Sequence, residues 1–132
     1  MKIVVFLFAL TGTFLAATEK NEPLPDHSDV KSISVEFNKI GFKGSTELWQ
    51  SIRKTLVPAK IDAKPSKWEW LASIKVNKKD GSSFIVELYN SKQEKAAFAA
   101  GKTYKERIYY RGGKNNELIN LLRKAHLKST KQ

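Results

Sequence analysis

Three observations predict an α+β fold: a small antiparallel sheet with two helices packed on one face. Residues 68–88 hold two apolar runs of period two joined by Asp80-Gly81, the signature of a β-hairpin. Two other stretches, around 46–56 and 116–125, carry apolar residues at helical spacing. Consecutive strands joined by a tight turn run antiparallel, and the helices then cover one side. The expected order is strand, helix, strands, helix, with about four strands.

The chain starts with Met1-Lys2 and an apolar run from Ile3 through Leu10, and small residues follow at Ala16 and Ala17. The apolar stretch ends before Glu19 and Lys20, short of the roughly 20 residues that span a bilayer. Residues 1–17 therefore read as an export signal, against a retained anchor or a buried strand. After cleavage no transmembrane span is expected. Residues 18–31 contain Pro23 and Pro25 without apolar periodicity and read as a polar linker. A single domain is expected over 32–128, followed by a basic tail at 129–132. With no cysteine in the chain, disulfide staples are excluded and the core alone must hold the domain. That fits a bacterial periplasmic or secreted protein better than an animal extracellular module.

Within the domain, Ile33, Val35 and Phe37 alternate with Ser32, Ser34 and Glu36, a first strand reaching towards Ile40. Gly41 and Gly44 mark a turn. Ser45 or Thr46 caps a helix in which Leu48, Trp49, Ile52 and Leu56 form one stripe, and Pro58 ends it. Residues 59–67 read as a loop. Trp68, Trp70, Ala72, Ile74 and Val76 then form one apolar strand face, and Phe84, Val86 and Leu88 answer after Asp80-Gly81, whose two positions are expected to take positive φ. Residues 94–100 fit a short helix or a strand equally. Tyr104, Ile108 and Tyr110 suggest a further strand, broken by Gly112-Gly113. Asn115 or Asn116 caps a last helix with Leu118, Ile119, Leu121, Leu122 and Ala125 on its apolar face.

The formal net charge of +11 is unevenly placed. Residues 18–40 carry five acidic and three basic side chains, whereas residues 91–132 carry eleven basic against Glu94, Glu106 and Glu117. One part of the surface must therefore be strongly positive. For an exported protein the matching partners are an anionic envelope component or an acidic protein. Intracellular nucleic acid is not expected. The plainer reading of the same charge is a solvated, solubilising face.

Catalytic patterns are scarce. Without cysteine, nucleophilic chemistry would need His27 or His126, and no serine lies in a Gly-x-Ser-x-Gly turn. Asp26-His27-Ser28-Asp29 offers metal-ligand types but reads as hydrophilic linker. Glu69 and Glu87 fall on paired strands, as candidate paired acids or as partners of Lys75 and Lys67. Gly112-Gly113-Lys114 before a helix could hold an anion on backbone N–H groups, or serve simply as the turn a helix start needs. Trp49, Trp68 and Trp70 are all assigned to the core.

The basic-aromatic run at Arg107, Tyr109 and Arg111 is the clearest candidate surface. On a strand these three share one face, where arginines fork onto phosphate or carboxylate and the tyrosine stacks. Lys114, Arg123 and Lys124 extend the basic third. The expectation is a non-enzymatic, cofactor-free binding module that uses this anion-binding strip. The alternative is a secreted inhibitor or accessory subunit of an envelope enzyme.

Overall fold

The computed structural model describes residues 24–62 and 68–130. The expected export signal, residues 18–23 of the linker, part of the 59–67 loop and the last two residues of the tail lie outside that range. The chain folds as an antiparallel sheet with two helices, as its patterning predicts, but the sheet has seven strands in the order β2-β1-β4-β5-β6-β7-β3 rather than about four. The strands are β1 (Val30–Phe37), β2 (Ile40–Gly44), β3 (Ala59–Ile61), β4 (Glu69–Lys78), β5 (Ser83–Asn90), β6 (Ala96–Gly101) and β7 (Ile108–Gly112). The helices are α1 (Thr46–Lys54) and α2 (Asn115–Thr130), and a 3-10 turn at His27–Asp29 precedes β1.

Three strands separate the observed sheet from the expected one. Asn38 and Lys39 both take positive φ (56° and 65°), the backbone of a tight hairpin. The chain therefore turns back there, and 40–44 pairs along β1 instead of forming a loop. Residues 59–61 pair with β7. The ambiguous alanine segment is β6, and every residue from Ala96 to Ala100 is buried. Its helix propensity is overridden because β5 and β7 flank it and both its faces are covered. Of Asp80-Gly81, only Gly81 takes positive φ (94°). The Gly81 N–H donates to the Lys78 carbonyl and the Lys78 N–H to the Ser82 carbonyl, so three residues close this hairpin instead of two.

The helix side of the sheet carries Ile33, Val35, Ile74, Val76, Val86, Leu88 and Phe98, all buried. Trp49, Ile52 and Leu56 pack on them from α1 and just beyond it, and Leu118 and Leu122 from α2, in one continuous core. Ser45 caps α1 by accepting from the Leu48 N–H at 3.2 Å. The fold begins earlier than the linker reading implied: Leu24 is buried, and the Pro25 carbonyl accepts from Trp49 Nε1 at 2.8 Å. At the other end α2 continues to Thr130, into the expected tail. No helix among the described residues is long and apolar enough to cross a membrane.

Candidate functional site: the uncovered face of the sheet

A register shift in β4 decides what the second face presents. Trp70 pairs with Tyr89, yet Ala72 pairs with Leu88, leaving Leu71 as an extra residue. Such a bulge reverses the in-out order of everything beyond it. Ala72, Ile74 and Val76 therefore face the helices, whereas Trp68 and Trp70 face away from them. The assignment of both tryptophans to the core is overturned, and only Trp49 is fully buried there.

Trp68, Tyr89 and Tyr109 form an aromatic triangle on this uncovered face, with ring centroids 5.8 to 6.4 Å apart. Trp68 immediately precedes β4, Tyr89 comes from β5 and Tyr109 from β7, and β6 between the last two supplies Ala97 and Ala99, opposite Tyr89 and Tyr109 respectively. Alanine there lets the long side chains of both neighbouring strands lean inward over it, and both alanines are fully buried beneath them. Burial and the nearby Tyr109 raise the Tyr89 hydroxyl above its ordinary value, while Arg107 pulls the other way.

Tyr109 and Arg111 alternate along β7 with Ile108 and Tyr110 and so lie on this face, and Arg107, just before the strand, hydrogen-bonds Tyr89 on it. The Arg111 guanidinium lies 5.4 Å from the Trp68 ring centre, its Nε is 2.9 Å from Asp62, and its Nη1 donates to Gln93 at 2.6 Å. Asp62 is placed by its own N–H, which donates to the Tyr109 carbonyl and extends the β3–β7 ladder. Arg107 lies 5.1 Å over the Tyr104 ring and donates through Nε to the Tyr104 carbonyl. Both arginines are thus held in fixed poses, which lowers the ordering cost of meeting a ligand. The same contacts engage part of their donor capacity.

Glu87 is a buried carboxyl group on this face, 7% exposed. Its Oε1 accepts from Trp70 Nε1 at 3.2 Å, and the same indole N–H reaches Ser73 Oγ at 3.3 Å. Its Oε2 is buried without a hydrogen-bond partner. Glu69 and Glu87, weighed as paired acids, are not opposite each other. The bulge sends Glu69 opposite Asn90, where it pairs with Lys92 at 3.3 Å; Lys67, the other partner considered, lies outside the described residues.

The remaining strip candidates are elsewhere. Lys114 follows Gly113 at the start of α2 and pairs with Glu117 at 3.5 Å. The anion cradle read at this turn is already filled by protein: the Lys114 N–H donates to the Thr55 carbonyl and the Asn115 N–H to that of Glu94. Gly113 has φ +68°, and a Cβ there would meet the Thr55 carbonyl, so the turn is shaped by packing. Arg123 and Lys124 are exposed on α2, in the layer on the far side of the sheet. The six candidates therefore divide, three on the uncovered face and three on α2 and its start.

The Asp26-His27-Ser28-Asp29 segment is local structure. Asp26 caps the 3-10 turn, and hydrogen bonds from Ser28, side chain first, hold its carboxyl below its ordinary value. No family model, curated protein or solved structure matches this chain.

Proposed function

We propose that the chain is an exported, non-enzymatic binding module. It meets an anionic envelope component, or an acidic protein displayed there, with the uncovered face of its sheet. The observation that carries this reading is the grouping of Arg107, Tyr109 and Arg111 with Trp68 and Tyr89 on a surface that no helix among the described residues covers. Flat aromatic rings offer area at low entropic cost, and oriented guanidinium groups add directional recognition of carboxylate or phosphate. The apolar start of the chain supports export, and the excess of positive charge favours acidic partners.

Co-sedimentation of the chain without residues 1–17 with isolated bacterial envelope tests this reading. Pelleting at low salt that weakens at high salt is expected, and the triple variant Arg107→Ala, Tyr109→Ala, Arg111→Ala should pellet less than the parent chain, with an unchanged circular dichroism spectrum. Undiminished pelleting by that variant contradicts the reading. One-to-one pelleting indifferent to salt would favour an inhibitor or accessory subunit docked on an envelope enzyme.

A further inference from the structure

The two helices leave a groove between them that differs in chemistry from the aromatic face. It encloses about 500 Å³ alongside β2, within the range of small-ligand sites. Its apolar lining is Phe42 from β2, Leu48 from α1, and Leu121 and Ala125 from α2, each only partly buried. Lys43, Lys124 and Lys128 stand around it, all exposed. The described ion pairs include none of these three lysines, and Glu47 is the one acid among the lining residues.

We infer that this groove binds an anionic lipid, with apolar chain against the four half-buried side chains and headgroup among the three lysines. Charge complementarity favours this occupant. Three cations at the rim of an apolar floor match a ligand carrying a negative head and an apolar tail. Lysines suit a headgroup because their flexible stems follow a diffuse anionic surface without a fixed fork geometry. Half-buried apolar floor residues contribute by leaving water when the chain enters. The groove lies on the helix layer, so a chain seated this way on a membrane surface keeps its aromatic face free. The inference therefore stands or falls separately from the reading of that face.

Flotation with vesicles of phosphatidylglycerol and phosphatidylcholine, against phosphatidylcholine alone, provides the test. Binding to the anionic vesicles alone is expected, unchanged by inorganic phosphate at concentrations that leave ionic strength constant. Lys43→Glu, Lys124→Glu and Lys128→Glu together should weaken it roughly 100-fold or more, since each lysine near an anionic surface contributes about fivefold. A charge-matched control, Lys79→Glu, Lys102→Glu and Lys105→Glu, should retain most of it. Ala125→Gln, which fills the groove without opening a cavity, should weaken binding at constant charge. Equal loss in both triple variants would replace the groove with diffuse surface charge and overturn the inference. So would equal binding to neutral vesicles, displacement by phosphate, or capture of an acidic amphipathic peptide with no flotation. The Arg107, Tyr109, Arg111 triple variant should float normally, which separates this site from the aromatic face.

Discussion

The two faces of one sheet are built from alternate residues of the same strands, and they are held together differently. On the helix side, Val86 and Leu88 of β5 and Phe98 of β6 are sealed beneath α1 and α2. On the other side the same strands present Glu87, Tyr89, Ala97 and Ala99, met among the described residues by Trp68, Trp70, Tyr109 and the arginines. The first face is held by close packing of apolar volume. The second is held by ring contacts, an ion pair and a few hydrogen bonds that a partner can exploit. A period of two thus places two surfaces of different chemistry back to back, the second being the one proposed for recognition.

The comparison breaks most easily through its tryptophans. Trp49→Ala should cost about 3–5 kcal/mol in urea unfolding, because it opens a cavity and orphans the Pro25 carbonyl. Trp70→Ala should cost about 1–2 kcal/mol, a half-exposed ring plus one hydrogen bond to Glu87. Equal losses would mean that the faces are not distinct. Ala99→Leu comes next, at about 1–3 kcal/mol, because the added atoms must displace the roof above β6. It should also disturb envelope binding, whereas an equally destabilising helix-side change should not.

A pH difference sharpens the comparison further. The Tyr89 hydroxyl is raised above its ordinary value, chiefly by burial, so the folded chain holds that proton more tightly than the unfolded one. The resulting stabilisation is complete below the unfolded value, near 10, and is lost as pH rises through the folded value. Thermal melts above about pH 10 should therefore fall less steeply for Tyr89→Phe than for the parent chain. The smallest effect is expected at Asp80, whose carboxyl is lowered by the Ser82 side-chain and backbone hydrogen bonds. Its contribution is present above its unfolded value, 3.8, and is lost as pH falls through the folded value. Ser82→Ala should reduce that slope, the backbone N–H of residue 82 still donating to Asp80, and leave the melt at neutral pH nearly unchanged.

Much of the helix side was legible because burial writes a regular period into the sequence. The α1 stripe, a cap at Ser45 or Thr46 and the inward run Ala72, Ile74, Val76 all follow from the residue pattern, and the structure selects Ser45. The second face was legible only along β7, where Arg107, Tyr109 and Arg111 alternate cleanly. Trp68 and Trp70 were hidden by the bulge, since unbroken alternation assigns them to the core. Leu71 was the available signal, an aliphatic residue in a slot that strict alternation reserves for polar side chains. Short edge strands such as β2 and β3 carry too few residues for a period, and β6 reads as helix or strand until its neighbours bury both faces. The division of the basic third between two layers depends on where α2 packs, which charge counting along the chain does not contain.

Acrylamide quenching of single-tryptophan chains, with and without envelope fraction, is the most direct test. The pair Trp49→Phe, Trp68→Phe leaves Trp70, and the pair Trp68→Phe, Trp70→Phe leaves Trp49. Trp70 should be quenched in the free chain and shielded on binding, while Trp49 should be shielded throughout. A Trp70 as protected as Trp49 before binding would contradict the two-faced sheet. A Trp70 indifferent to bound envelope would contradict the uncovered face as the place of recognition.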